Sequence, residues 1–458
     1  MEAIAAIATA PSIGGIGIIR ISGKNSFNVI KKIFKPKNPE EIKNIKGFSI
    51  KFGHIINPIT EEIIDEVLVS YFKEPHSYTT ENMCEISCHG GNVVMQKVLE
   101  LCLKNGAKLA EAGEFTKRAF LNGRIDLVQA ESVVDIINAK TEKETNAAIK
   151  QLEGFLSQKI REIKQDVLDI MVKIEVAIDY PEYNEAEIIS QNILNSLKNI
   201  KEKLTKLDKS FDTGKIIKEG IKTAIIGRPN VGKSSLLNAI LKEERAIVTE
   251  FAGTTRDTIE ELISIRGIPI KIIDTAGIRN AENEVEKMGI NKAKEIVTQA
   301  DLIIAVFDSS EDLSEEDNAI LNLIKDKNAI IVLNKKDLKI KTHEDAPEFK
   351  IINKPAHIIS ATQKTGIDAL EDEIVKIFKL SEIGIDSAEL ITNIRHKDLV
   401  NKAIQELDKA KEAIHNNMPI DIISINIKEI LEYLGKITGE SVSEDIINEI
   451  FSKFCLGK

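Results

Sequence analysis

The sequence predicts a multidomain α/β-plus-α chain: a small α+β domain, then a helical domain split in two by an inserted, doubly wound α/β domain. Three observations predict it. Apolar strands punctuated by Gly and Pro fill the first 118 of 458 residues, and an apolar spacing of three and four then takes over. A strand, a glycine-rich loop and a helix follow just beyond residue 217.

In residues 1–118, Gly14–Ser22, Asp65–Tyr71 and Cys84–Cys88 read as strands, with helices near 25–33 and 92–104. From 119 to 216 the period is helical. Ile149, Leu152, Leu156, Ile160, Ile163, Val167, Ile170 and Ile174 form one continuous apolar seam. Ile193, Leu197, Ile200, Leu204 and Leu207 form a second seam after a break at Pro181. Strands and helices alternate over 217–380, and helix resumes over 381–458 as Arg395–Ile414, Ile420–Leu434 and Val442–Phe454. The apolar faces of these last helices need partners, and the 119–216 segment needs helices to complete it. The economical topology is one discontinuous helical bundle with the α/β domain inserted in it.

The inserted domain carries the chemistry. Gly227-Arg-Pro-Asn-Val-Gly-Lys-Ser234 lies between the strand Thr223–Ile226 and the helix Ser235–Ile240. In that setting the loop from Asn230 through Val231, Gly232, Lys233, Ser234 and Ser235 turns its amides and the helix N-terminus toward phosphates. Lys233 reaches the β- and γ-phosphates, and Ser234 holds Mg2+. Asn334-Lys335-Lys336-Asp337 follows the apolar run Ala329–Leu333, as a loop at the end of a buried parallel strand. The Asp337 carboxylate accepts from N1 and N2 of guanine. Adenine lacks both donors, so it would leave that carboxylate unpaired at a cost of about 1–3 kcal/mol. Ser360-Ala361, after Ala356–Ile359, offers a backbone N–H to the guanine O6.

Between these loops lie segments that sense the γ-phosphate. Asp274-Thr275-Ala276-Gly277 ends the strand Ile270–Ile273, with Asp274 toward the Mg2+ shell and the Gly277 amide toward the γ-phosphate. Thr255, in Gly253-Thr-Thr-Arg-Asp257, supplies the second hydroxyl on Mg2+, and Thr249 and Thr254 belong to the same nucleotide-facing stretch. The α/β domain therefore reads as a Ras-like GTPase. Ras-type enzymes orient the attacking water with a Gln just after the Asp-x-x-Gly turn, where this chain has Ile278. Another acid must take that role, and Glu282, Glu284 and Glu286 are on offer.

Composition excludes several classes. With 62 basic against 72 acidic side chains the net charge is −10, so any RNA contact uses a local patch. Lys31, Lys32, Lys35 and Lys37 read as solvated helix-end lysines, and the absence of Trp leaves few base-stacking platforms. No apolar run reaches the roughly 18–20 residues of a membrane span, and no leader is seen, which suggests a cytoplasmic protein. Four cysteines make no disulfide framework. Cys84, Cys88 and His89 alternate along a strand and read as free thiols beside a turn rather than a metal site.

Motifs outside the inserted domain are more specific. Ala8–Gly23, Glu85-Ile-Ser-Cys-His-Gly-Gly91, Gly113–Gly123, Gly253–Asp257 and the ending Phe454-Cys-Leu-Gly-Lys458 together resemble the bacterial tRNA-modification GTPase family MnmE, also called TrmE. The resemblance runs end to end. It implies a homodimer joined through N-terminal domains that also bind folate. It further implies a complex, a heterotetramer or larger, with an FAD-dependent MnmG-type protein, acting on tRNA. The implied reaction adds an aminomethyl-type (carboxymethylaminomethyl) group at carbon 5 of the wobble uridine, with a one-carbon unit from 5-formyltetrahydrofolate or a related reduced folate. By motif match, Arg20, Glu85, Arg124 and Lys458 line the folate site. Arg124 stands where Lys is common, and Thr80 where Gly is usual.

The resemblance also implies activation by K+ and by pairing of two G domains. The K+ would take the Asn230 amide oxygen and backbone carbonyls of Thr249, Phe251 and Thr254. Glu286, twelve residues past Asp274, matches the water-orienting acid; Arg256 and Arg279 match supporting switch residues, and Cys455 a thiol nucleophile. A reading of another class, a GTP-dependent ribosome or RNA assembly switch without modification chemistry, explains neither the N-terminal domain nor the Cys-Leu-Gly-Lys ending.

Overall fold

The computed structural model describes residues 2–10, 12–38, 47–179, 186–243, 261–273, 295–378, 390–455 and 457–458. Two compact units emerge: Met1–Val134 with Gln151–Tyr183 and Asn416–Lys458, and Asp135–Lys150 with Asn184–His415.

In the first unit, β1 (Ile4–Ile7), β2 (Gly14–Ser22), α1 (Ser26–Ile33), β3 (Phe34–Pro36), β4 (Ser49–Ile56), β5 (Ile63–Phe72), β6 (Met83–Gly90), α2 (Asn92–Lys104) and β7 (Lys108–Leu109) form an α+β layer pair. The sheet order is β3-β4-β5-β6-β2-β1-β7, antiparallel except for β1 against β7. The period-two pattern is plain on β5, which buries Val67, Val69 and Tyr71 while leaving Leu68 exposed. These side chains join Ile19, Ile21, Ile30, Ile33, Ile86 and Val98 in a core between the sheet and its helices. The register between β2 and β6 sets Arg20 opposite Glu85.

Helices follow: α3 (Glu114–Leu121), α4 (Leu127–Asn138), α5 (Glu142–Leu152), α6 (Phe155–Asp179) and α7 (Ala186–Glu219). The seam expected to run unbroken from Ile149 to Ile174 is interrupted. Gly154, left-handed at φ 90°, separates α5 from α6, and Ile149 is 39% exposed. Leu156, Ile160, Ile163, Val167, Ile170 and Ile174 are buried along α6, and the second seam is buried along α7.

The inserted domain adds β8 (Ile221–Ile226), α8 (Lys233–Glu243), β9 (Glu261–Ile265), β10 (Ile268–Ile272), β11 (Leu302–Asp308), α9 (Glu315–Ile324), β12 (Ala329–Asn334), α10 (Pro347–Ile352), β13 (Ala356–Ile358) and α11 (Ile367–Ile377). The sheet runs β13-β12-β11-β8-β10-β9, parallel except for the β9–β10 hairpin. Every residue of β11 and β12 is buried, as apolar layers on both faces require.

The chain ends in α12 (Ile394–His415), α13 (Ile420–Thr438) and α14 (Glu444–Ser452). In the first unit α13 packs along α6; in the second α12 packs along α7. Helices on either side of the insertion thus complete each other, and the helical bundle is discontinuous. In the first unit α14 also closes a core with α3 and α4: Ala119, Ile125, Leu127, Ala130, Ile447, Phe451 and Phe454.

Candidate functional site

In the second unit the phosphate loop turns from β8 into α8. A Cβ at Gly232, where φ is 96°, would collide with the Asn334 side-chain amide, so only glycine lets the two loops approach. Asn334, 3% exposed, bridges them. Its Nδ2 donates to the Val231 carbonyl at 2.9 Å, and its Oδ1 accepts from the Ala361 N–H at 3.0 Å. The phosphate loop, the Asn-Lys-Lys-Asp loop and the Ser360-Ala361 loop are therefore one hydrogen-bonded assembly. Lys233 opens α8 and donates to the Gly227 and Arg228 carbonyls, 2.8 Å each. Burial holds its ammonium below the usual lysine range. Ser234 is half-buried at the same helix start, and Ser235 is exposed beside it. Asn230 is exposed on the loop, left-handed at φ 64°.

The base loop is equally fixed. Ser360 Oγ donates to the Asp337 carboxylate at 2.5 Å, and Thr362 adds a longer bond of 3.4 Å. Hydrogen bonding, from Ser360 first, holds the Asp337 carboxyl below the usual carboxylate range, so it is an acceptor at neutral pH. Lys335, left-handed at φ 67°, reaches Asp308 at 2.5 Å. Burial alone would raise the Asp308 carboxyl, but hydrogen bonds from Lys335 and Ser310 outweigh it and bring it down. Asp308 was missed in the sequence. Its signal was an acid at the carboxyl end of a fully buried strand, where ligands of open α/β sheets bind.

Thr249, Phe251, Thr254, Thr255, Arg256, Asp274, Thr275, Ala276, Gly277, Ile278, Arg279, Glu282, Glu284 and Glu286 lie outside the described residues.

The first unit holds a second constellation. Arg20 Nε and Nη2 meet the same Glu85 oxygen at 2.9 and 2.8 Å, and Nη1 donates to the Gly457 carbonyl at 3.3 Å. Two guanidiniums approach the Tyr78 ring, with Cζ of Arg20 5.3 Å and Cζ of Arg124 4.5 Å from its centroid. Cζ of Arg20 also lies 5.6 Å from the centroid of the Phe115 ring, and the Tyr78 hydroxyl meets Thr116 at 2.9 Å. Lys458 is half-buried next to Gly457. Arg20, Glu85 and Arg124 are thus drawn together with the chain end. Tyr78 and Phe115, which join them, were missed. The available signal for Tyr78 was its place in Ser77-Tyr-Thr-Thr-Glu81. Cys455 is exposed, and its carbonyl accepts from the Gly113 N–H at 3.3 Å. Thr80 sits at φ 60°, the left-handed region that explains why glycine is usual there.

Cys84, Cys88 and Cys102 are buried thiols. Burial pushes the Cys88 thiol up to about 11. His89 instead pairs with Asp65 at 2.6 Å. Lys31, Lys32, Lys35 and Lys37 are exposed, although Lys37 also lies over the Phe52 ring at 5.5 Å.

Residues 3–124 match the family model for the GTP-binding protein TrmE N-terminus, and residues 127–455 match that for the MnmE helical domain. Over 457 residues the chain is 49% identical to the tRNA modification GTPase MnmE of Acetivibrio thermocellus, covering 100% of this chain and 99% of that protein. The chain belongs to the MnmE family. MnmE of Thermoanaerobacter pseudethanolicus is 50% identical over 459 residues, and that of Clostridioides difficile 49% over 457, each covering 100% of this chain and 99% of the relative. The MnmE helical match begins before the inserted α/β domain and ends after it, in keeping with the discontinuous bundle. Among the described residues no helix is long and apolar enough to cross a membrane.

Proposed function

We propose that the protein is a potassium-activated GTPase that modifies tRNA. With an FAD-dependent MnmG-type partner it would install a carboxymethylaminomethyl-type group at carbon 5 of the wobble uridine. The observation that supports this reading most strongly is the Asn334 bridge, which joins a phosphate loop to an Asp337 carboxylate poised for guanine. In this reading Lys233 neutralises the β- and γ-phosphates, and Ser234 with Thr255 and Asp274 holds Mg2+. Glu286 aligns the attacking water in place of the Gln that Ile278 replaces. Asn230, with carbonyls of Thr249, Phe251 and Thr254, holds a K+ where another enzyme would supply an arginine finger. The closed state is a pair of G domains in a homodimer.

The second constellation fits a reduced folate in donor chemistry. A carboxylate, two guanidiniums and an aromatic ring suit a flat heterocycle with N–H donors and a carboxylate tail. Bound there, the folate would supply the one-carbon unit. Glu85 would accept from the heterocycle, Tyr78 would give it a platform, and Arg124 with Lys458 would hold the tail. Cys455, exposed and two residues before the Gly457 that Arg20 holds, is the candidate thiolate for carbon 6 of the uridine. Its addition forms an S–C6 bond, and the C5–C6 π electrons move to the O4 enolate, leaving carbon 5 nucleophilic.

Mass spectrometry of wobble nucleosides decides between this and a pure assembly switch. tRNA from cells lacking the protein should lose the carbon-5 modification and regain it on complementation. Identical nucleoside profiles with and without the protein reject the modification reading.

A further inference from the structure

Arg228 lies inside the phosphate loop, yet its guanidinium is committed elsewhere. Nε meets the Asp317 carboxylate at 2.9 Å and Nη2 meets Glu311 at 2.8 Å. Asp317 is 1% exposed and is the third residue of a capping box: Ser314 N–H and Oγ donate to it at 2.9 and 2.8 Å, and its own N–H donates to Ser314 Oγ. With Nε and Nη2 both held by carboxylates, the guanidinium is turned away from a phosphate and toward α9. Arg228 is therefore an anchor, tying the loop to the first turn of α9. Its backbone is engaged as well, since the Arg228 carbonyl accepts from Lys233 Nζ.

The anchor leads to the base loop. Glu311, whose carboxylate holds Arg228, also accepts from Thr342 Oγ1 through its carbonyl at 2.7 Å. Three residues back, Asp308 holds Lys335, and the Ser309 N–H donates to the Asn334 carbonyl at 2.9 Å. The segment Asp308–Glu311 thus grips the phosphate loop through Arg228 and the base loop through Lys335 and Asn334. We infer that Arg228 is a positioning residue that couples phosphate recognition to guanine discrimination through this segment. The inference rests on the GTPase reading above.

The test compares GDP with inosine diphosphate, which lacks the 2-amino group that Asp337 reads. Dissociation constants are measured calorimetrically on the full chain, wild type and Arg228→Ala. Loss of a charge-assisted anchor predicts GDP binding weaker by about tenfold or more. Coupling predicts in addition that the preference for GDP over inosine diphosphate narrows at least about threefold, although residue 228 touches no base. An anchor with only local effect weakens both nucleotides equally, and an unchanged preference overturns the inference. A wild type with no guanine preference would instead reject the GTPase reading itself. Should Arg228→Ala fail to fold, Glu311→Gln decides, because it removes only the half-exposed arm of the anchor. It should narrow the preference in the same direction, and full wild-type discrimination in that variant overturns the coupling.

Discussion

Replacing Asn334 by Ala tests whether one buried amide holds the nucleotide loops together. The wild-type side chain makes two bonds inside the fold, to the Val231 carbonyl and from the Ala361 N–H. Its partners are buried, Val231 at 1% and Ala361 at 5% exposure. The orphaned Ala361 N–H costs about 1–3 kcal/mol, and loss of the Val231 bond adds about 0.5–1.5 kcal/mol. The sum, about 1.5–4.5 kcal/mol, divides between fold stability and nucleotide affinity. Loops that stay closed without the bridge lose stability alone; loops that splay must be reordered by the ligand. Since a tenfold change in affinity corresponds to about 1.4 kcal/mol, we expect GDP to bind at least about tenfold more weakly. Thermal unfolding of the full chain should fall by several degrees in parallel. Asn334→Asp keeps the acceptor for Ala361 but sets a carboxylate against the Val231 carbonyl, so it should be no better than Ala. GDP affinity within twofold of wild type, with an unchanged melting temperature, would refute the bridge.

GTP turnover should be faster in KCl than in NaCl at equal ionic strength, given Asn230 on the loop and no Gln after Asp274; equal rates reject the cation role. Thr80→Gly should leave the melting temperature nearly unchanged, because relief of about 1–2 kcal/mol of left-handed strain is offset by glycine's added unfolded entropy of about 0.4–1 kcal/mol and by loss of the Thr80 Oγ1 bond to the Thr79 carbonyl, about 0.5–1.5 kcal/mol; a shift of several degrees contradicts this. At pH 8 one thiol, Cys455, should react quickly with a disulfide reagent and four in denaturant, since Cys84, Cys88 and Cys102 are buried; rapid loss of more than one native thiol counts against it. The Cys88 thiol is raised in the fold, so its stabilisation is present below the ordinary value of 9.0 and is lost as pH rises through about 11. Cys88→Ala should flatten that part of the stability curve by up to about 2–3 kcal/mol, read from thermal midpoints across the window.

How much of this was legible depends on how local the cause is. The phosphate loop and the Asn-Lys-Lys-Asp loop are short, and their strand and helix flanks are periodic, so sequence places them well. The apolar seam misled because a spacing of three and four continues to count across Gly154, although a left-handed residue ends the helix there. Ion pairs escaped altogether. Asp308 meets Lys335 across 27 residues and Arg228 meets Asp317 across 89, and no pattern in an acid-rich, lysine-rich chain singles out those partners. Arg20 and Glu85 were reachable only through motif resemblance, and the bond from Arg20 to Gly457 spans 437 positions. Tyr78 escaped because one Tyr in a polar turn looks like surface until two guanidiniums are found on its ring.

The topology gives these distant contacts a common logic. Within the second unit, α7 runs into the central strand β8 across Gly220 alone, and α12 packs back along α7. The inserted domain is therefore bracketed in sequence by two helices that touch each other, and its core strand continues directly from the first of them. The loop between β8 and α8 is thus one strand away from the end of a 34-residue helix, with Gly220 as the single residue between helix and strand. Lys201 and Asp408, 2.5 Å apart, and Lys218 with Asp135, 2.8 Å apart, pin that helix along its length. Partly exposed pairs of this kind add little stability, and they tie α7 to α12 and to the end of α4. A strand that continues directly from a long helix gives the inserted domain a stiff attachment at its amino-terminal end.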